Sequence, residues 1–114
     1  MIQWGQQPHI RAQYPELKLL FHIKNEERNA TAQSVAVDRA NGVRKGVPDL
    51  CLPVARGNWH GLYIEMKSPT GRLRPEQQWW LERLTEQGYK AVCCYCWQDA
   101  VETIRKYLEG GVAQ

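Results

Sequence analysis

Short stretches in which apolar and polar residues alternate recur along this chain, and this alternation predicts β-strands. Three of them cover residues 17–23, 49–54 and 62–67. In the third stretch apolar side chains occupy every second position, which places Glu65 and Lys67 together on the opposite face. The short connection between the second and third stretches favours an antiparallel hairpin.

Helical signals follow this hairpin. Pro75 suits the first position of a helix, Glu76 suits its positive end, and Gly88 suits the position just past its end. Residues 89–96 are predicted as a fourth strand, and a strand–helix–strand unit favours a parallel crossover. Apolar residues recur at helical spacing over residues 98–108, which predicts a final helix.

The remaining segments are less regular. The segment before residue 14 allows a short helix. Residues 25–48 are polar and read as a long loop with a short helical piece at 30–37, and a loop of this length in a compact domain is usually functional. We therefore predict an α/β fold, with a mixed sheet and packed helices in the order α-β-β-β-α-β-α, in one domain of residues 1–114.

Composition narrows the class of protein. A chain of 114 residues with 43% hydrophobic and 24% charged residues is typical of a globular domain. It contains no run of about 18 apolar residues that could span a membrane and no apolar signal core near its start. These features favour a cytoplasmic protein. Its four cysteines lack the paired spacing of a zinc site, so we predict that they are small buried strand residues in a reducing compartment: Cys51, Cys93, Cys94 and Cys96.

Charge is distributed unevenly. Residues 39–74 hold seven basic and two acidic residues, a net charge of +5, whereas the rest of the chain holds eight basic and ten acidic residues. A basic segment with two isolated carboxylates suggests a polyanionic partner and a cation site within its binding surface. The alternative is a solvated loop that is merely basic.

Those two carboxylates have a geometric reason to meet. Asp49 begins the second strand and Glu65 and Lys67 end the third, so antiparallel pairing brings them together, although a one-residue slip in register stays open. Two neighbouring carboxylates raise each other's proton affinity, and a hard divalent cation relieves this. Such an ion lowers the pKa of a bound water and polarises a phosphoryl oxygen. Lys67 then orients or deprotonates the water, or stabilises developing charge, and the Met66 carbonyl is a further ligand.

Three runs of sequence carry a family resemblance: GVRKGVPDL at residues 42–50, YIEMK at 63–67 and GRLRPEQ at 71–77. Together they resemble the VRR-NUC domain, a branch of the PD-(D/E)xK nuclease superfamily, over about residues 14–101. A chain with this domain alone resembles the stand-alone phage or prophage members. The resemblance implies a restriction-endonuclease-like core, dependence on Mg²⁺ or Mn²⁺, and a homodimer acting on branched DNA such as four-way (Holliday) junctions.

The resemblance also implies residue roles. Asp49 and Glu65 match the metal-binding acids, Lys67 matches the catalytic lysine, and Gln77 matches a glutamine that begins the next helix near the active site. Gly46 matches a family glycine. The residues that we expect to contact DNA are Arg44, Lys45, Arg72 and Arg74.

One family feature has no counterpart in this sequence. The family carries a glutamate on its first helix, upstream of a segment like Ile2-Gln3-Trp4, and the sequence begins at that segment. The available upstream acids are Glu16, Glu26 and Glu27, and none stands at the family spacing.

Three hypotheses follow. The first is a metal-dependent, structure-selective endodeoxyribonuclease. The second is a nucleic-acid-binding or assembly module of the same fold with weak or no turnover, which the missing glutamate motivates. A sequence-specific restriction nuclease ranks last, because 114 residues leave little room for a recognition element.

Overall fold

A computed structural model describes residues 2–25 and 31–110 of the chain. A 3₁₀ helix at Pro15–Leu19 joins the first helices to the sheet. The helices are α1 (Ile2–Gln6), α2 (Pro8–Gln13), α3 (Ala32–Ala40), α4 (Pro75–Glu86) and α5 (Trp97–Leu108). The strands are β1 (Phe21–His22), β2 (Leu50–Leu52), β3 (Leu62–Met66) and β4 (Lys90–Cys94).

These strands form one mixed sheet in the order β1-β2-β3-β4. β2 pairs antiparallel with both β1 and β3, and Leu50 lies opposite Ile64 in the β2–β3 register. β3 and β4 pair in parallel, and α4 makes the crossover between them. The predicted α/β class, the antiparallel hairpin and the parallel crossover are confirmed.

The predicted first strand is wrong over most of its length, because strand pairing is confined to Phe21 and His22. Pro15 has a backbone angle suited to a helical turn, and the following residues form a 3₁₀ helix in which the Leu17 N–H bonds to the Tyr14 carbonyl at 3.1 Å. Leu17 is buried by this turn. A short apolar run does not by itself separate these two conformations.

The long loop contains a longer helix than predicted. α3 runs from residue 32 to residue 40, and residue 30 of the predicted piece lies outside the described residues. Thr31 caps the helix, since its Oγ1 accepts a hydrogen bond of 3.0 Å from the Ser34 N–H.

One face of the sheet packs against α5. Leu62 and Ile64 of β3 are buried, and α5 presents buried side chains at helical spacing toward them. The buried side chains of α5 are Ala100, Ile104, Tyr107 and Leu108. The opposite face carries Glu65, which α4 approaches through Gln77. The sheet therefore has an apolar face that forms the core with α5 and a polar face beside α4.

Two further predictions bear on the chain as a whole. All four cysteines are free, and Cys51 and Cys94 are buried strand residues as predicted. Cys93 is only half-buried, and the prediction is wrong for Cys96, which is exposed because it lies beyond β4 and caps α5. Within residues 2–25 and 31–110, no helix is both long enough and apolar enough to cross a membrane.

Candidate active site

Asp49 and Glu65 meet where β2 begins and β3 ends. Extending the β2–β3 register by one position from the Leu50–Ile64 pair places Asp49 across from Glu65. The Asp49 Oδ2 atom accepts a hydrogen bond of 2.7 Å from the Met66 N–H. The antiparallel pairing therefore brings the two carboxylates together without the register slip that the sequence left open.

Glu65 is the one charged residue in the buried part of the described chain, with 3% of its surface exposed. Its Oε2 atom accepts a hydrogen bond of 3.2 Å from Gln77 Nε2, and Lys67 Nζ lies 3.7 Å from the same oxygen. Within the described residues, its buried Oε1 atom has no hydrogen-bond partner. A buried carboxylate with one free oxygen is costly unless a proton or a cation completes it.

Electrostatics favour the addition of positive charge at this point. Burial, and secondly the charge of Asp49, raise the pKa of Glu65 to about 7, while Lys67 opposes the shift. Burial penalises the ionised form, and the neighbouring carboxylate adds repulsion. Glu65 therefore binds a proton more tightly than an ordinary carboxylate does, and a nearby cation would stabilise its ionised form.

Lys67 follows directly after β3, and the sheet holds its backbone in place. Its N–H donates a hydrogen bond of 2.9 Å to the carbonyl of Cys94 in β4. The side chain is 16% exposed, so the ammonium group lies mostly out of solvent. An ammonium group in such surroundings interacts more strongly with nearby negative charge than one in water does.

Gln77 joins the start of α4 to this cluster. Its Oε1 atom accepts a hydrogen bond of 2.8 Å from the Arg74 N–H, which closes the first turn of the helix. Its Nε2 atom then points toward Glu65. Because each end of the amide has its own partner, the side chain has one orientation. The structure thus brings Asp49, Glu65, Lys67 and Gln77 into one cluster.

The available ligands suit a hard divalent cation. Asp49 and Glu65 supply carboxylate oxygens, and Glu65 Oε1 is unpartnered among the described residues. The Met66 N–H points toward Asp49. In a β-strand the N–H and the carbonyl of one residue point to the same side. The Met66 carbonyl therefore also points toward Asp49. Oxygen ligands of this kind are those that Mg²⁺ and Mn²⁺ take.

The acids upstream of the hairpin do not join this cluster. Glu16 pairs with Arg56 near the other end of the hairpin, and Glu26 and Glu27 lie outside the described residues. Within the described ranges, no group of three or more histidine, cysteine, aspartate or glutamate side chains is placed to hold a metal ion. The cluster therefore offers two carboxylates and main-chain groups as candidate ligands.

Two of the predicted DNA-binding residues lie in the loop before β2. Arg44 and Lys45 are exposed, and the Lys45 carbonyl accepts a hydrogen bond of 3.1 Å from Trp80 Nε1 of α4. Gly46 has a φ of +86°, and a Cβ there would lie 2.9 Å from the backbone carbon of Glu76. Glycine is thus required for this loop to lie against the first turn of α4.

The other two, Arg72 and Arg74, lie in the segment that joins β3 to α4, and both are exposed. Arg74 directly precedes α4, three residues before Gln77. The four basic residues therefore lie in the two segments that meet at the first turn of α4, beside the carboxylate cluster.

A cavity that the sequence did not predict also reaches Asp49. Its volume is about 410 Å³, and it is lined by Ile2, Gln3, His22, Asp49, Leu50 and Met66. The sequence predicted no role for Gln3 or His22. Gln3 lies in the segment Ile2-Gln3-Trp4, to which the resemblance attaches no chemistry, and His22 belongs to no motif. They reach the cavity only through the packing of α1 and β1 beside the hairpin.

Comparison with known proteins identifies the family and the fold. The model of the VRR-NUC domain family matches residues 2–97. A solved structure described as a VRR_NUC domain protein is similar to the chain with a TM-score of 0.76 and 27% sequence identity, covering 96% of this chain and 83% of that one. No curated protein matches the chain. The resemblance drawn from the three sequence runs is confirmed.

Proposed function

The chain belongs to the VRR-NUC family, and we propose that it is a metal-dependent endodeoxyribonuclease that hydrolyses phosphodiester bonds. One observation carries the proposal. A buried glutamate, Glu65, has one oxygen without a partner among the described residues, and it lies beside a second carboxylate and a largely buried lysine. A purely structural cluster would be expected to satisfy that oxygen.

Asp49, Glu65 and the Met66 carbonyl would hold Mg²⁺ or Mn²⁺, which supplies a water of lowered pKa and polarises a phosphoryl oxygen. The protein prepares these ligands in advance. The Met66 N–H holds one oxygen of Asp49, and Gln77 holds one oxygen of Glu65. Each carboxylate thus keeps a defined orientation before any substrate arrives.

Lys67 supplies the positive charge of the site. Near the attacked phosphate, its ammonium group orients the attacking water and stabilises the negative charge that develops on the phosphoryl oxygens. The water oxygen bonds to phosphorus while the bond from phosphorus to the leaving oxygen breaks. The attacking water loses a proton to solvent, and the leaving oxygen takes one up.

The substrate that we propose is DNA, with branched forms such as four-way junctions preferred. The exposed basic residues around the first turn of α4 suit phosphate contacts, which position a duplex without reading its sequence. These residues are Arg44, Lys45, Arg72 and Arg74. Symmetric cutting of two strands at a junction requires two sites, so we propose a homodimer as the working form. The cytoplasm of a bacterium or of a phage-infected cell is the setting that we propose.

The decisive test is Lys67→Ala. We expect cleavage of a four-way junction in Mg²⁺ or Mn²⁺ to fall at least about 1,000-fold, because the charge that stabilises the transition state is removed. Binding of the junction should remain, since the exposed basic residues are unchanged. Gel-based cleavage and binding assays measure both quantities.

Lys106→Ala is the matched control, because Lys106 is an exposed lysine of α5 that pairs with Glu102. It should cut at the parental rate. If Lys67→Ala also cuts at that rate, the assignment of the site is wrong.

A second candidate function follows from the small number of carboxylates, since the described residues offer only two at the site. It is a DNA-binding or assembly module with weak or no turnover. Calorimetry with Mg²⁺ and Mn²⁺, together with a panel of single-stranded, duplex, flap and four-way substrates, separates the two functions. DNA binding without metal binding and without nicking of any substrate would favour the module.

A further inference from the structure

The cavity beside Asp49 is built from separate parts of the chain. α1 supplies Ile2 and Gln3, β1 supplies His22, and the hairpin supplies the other lining residues. Its volume of about 410 Å³ is far more than a coordinated cation needs. It lies within the range of about 300–1,000 Å³ that is typical of small-molecule sites.

The lining of the cavity has two chemical characters. Ile2, Leu50 and Met66 are apolar, while Gln3 and His22 carry an amide and an imidazole. Within the described residues, neither polar side chain takes part in a hydrogen bond or ion pair, and both are exposed. A flat ligand with apolar faces and a polar edge matches this lining, and a nucleobase has that form.

The position of the cavity limits which nucleobase it can receive. Asp49 lines the cavity and is also one of the two carboxylates of the candidate site, and the Met66 N–H bonds to it. The strand register places His22 and Leu50 on the face of the sheet opposite Glu65, so the cavity and the carboxylates adjoin at Asp49, where β2 begins. A base in the cavity therefore belongs to a strand that passes round the start of β2 to reach the carboxylates. A base that is stacked and paired in a duplex cannot enter, because its faces and its polar edge are already in use.

We propose that this cavity binds an unpaired nucleobase of the DNA strand whose phosphate lies at Asp49 and Glu65. Ile2 and Met66 contact the face of the base, and Gln3 and His22 bond to its polar edge. The inference rests on the proposed nuclease function for the position of the phosphate. It gives a physical reason for a preference for forked and flapped DNA, in which unpaired nucleotides lie next to the branch point. At a four-way junction, whose arms are paired, a base pair beside the crossing has to open first.

The test compares forked DNAs that differ at one unpaired nucleotide, which is either a normal residue or an abasic residue. The abasic residue is moved through the unpaired positions next to the fork, and binding is measured in Mg²⁺ with Lys67→Ala protein so that the DNA is not cut. We expect one position at which the base tightens binding about tenfold, within the range seen for single base contacts.

The measured quantity is the ratio of the dissociation constants for the abasic and the normal DNA. In the same Lys67→Ala background, Gln3→Ala and His22→Ala should each bring this ratio toward one. His9→Ala is the matched control, because His9 is an exposed histidine of α2 that does not line the cavity. A third variant, Ile2→Trp, fills the cavity and should also remove the preference. Thermal melting of each variant checks that it is folded.

Two results would overturn the inference. One is a ratio of one at every position, and the other is a tenfold ratio that persists in folded Gln3→Ala, His22→Ala and Ile2→Trp proteins. Neither result depends on turnover. Cleavage by the parental protein is measured separately, so failure of the nuclease proposal appears as an absence of cutting, whatever the base preference.

Discussion

The two ends of the β2–β3 hairpin differ in whether their buried polar side chains have hydrogen-bond partners. At the end where β2 finishes, Arg56 pairs with Glu16 and donates a hydrogen bond of 3.2 Å to the Leu108 carbonyl. Nearby, the buried Tyr107 hydroxyl donates a hydrogen bond of 2.5 Å to the Val54 carbonyl. Arg56 and Tyr107 thus have partners at this end, and their bonds tie the N-terminal segment and α5 to the sheet.

At the other end, Glu65 is more deeply buried than Glu16 and yet keeps one oxygen without a partner in the described chain. Its neighbours include a second carboxylate, Asp49, which raises its pKa further. An arrangement like this lowers the stability of the empty protein and raises its affinity for a cation. The difference teaches that one hairpin can serve stability at one end and chemistry at the other.

The largest effect on stability is expected from Glu65→Gln. The pKa of Glu65 is raised to about 7 in the folded protein. The folded state therefore holds this proton more tightly than the unfolded state, and stability falls as the pH rises from about 4.5 through about 7. Glu65→Gln removes the buried charge and should raise the free energy of unfolding at pH 8, without metal, by about 2 kcal/mol. At pH 5 it should change little.

Urea denaturation at the two pH values in a chelating buffer measures this difference. The matched control is Glu16→Gln, because the carboxylate of Glu16 pairs with Arg56 at the other end of the hairpin. It should not stabilise the protein at either pH. If Glu65→Gln were destabilising at pH 8, the contrast between the two ends would be wrong. The same variant should lose cleavage, because the proposed metal ligand is removed.

The next effect concerns the end that serves stability. Tyr107→Phe leaves the buried Val54 carbonyl without its donor and should lower the free energy of unfolding by about 1–2 kcal/mol. Cleavage per folded molecule should be unchanged, since the candidate active site lies at the opposite end. Tyr95→Phe, at an exposed tyrosine, is the control for loss of a hydroxyl. A large loss of cleavage in folded Tyr107→Phe would show that the two ends are coupled.

The smallest effect is expected from Gln77→Ala. This change removes the N–H donor to Glu65 and the acceptor for the Arg74 N–H, so the carboxylate loses part of its orientation. We expect kcat/KM for junction cleavage to fall about tenfold. Gln78→Ala is the matched control, because the Gln78 side chain bonds at the surface to Glu82. Equal effects of the two changes would contradict a role for Gln77 at the site.

Several predictions from sequence succeeded because they rest on local chemistry. The alternation around Glu65 and the short connection predicted the hairpin, and Pro75 and Gly88 predicted the limits of α4 to within about two residues. The segment at 17–23 failed because a short apolar run is compatible with both a strand and a helical turn. There Pro15 and the burial of Leu17 favoured the turn.

The sequence by itself determined that the start of β2 and the end of β3 come together, since the period of two and the length of the connection bring Asp49 near Glu65 and Lys67. The exact register came from the structure. Only the tertiary structure decided how they are partnered. The free oxygen of Glu65, the pairing of Glu16 with Arg56 at the far end, and the cavity that α1 and β1 complete all depend on contacts between residues distant in the chain. No local pattern encodes such contacts, because they arise from how whole elements pack.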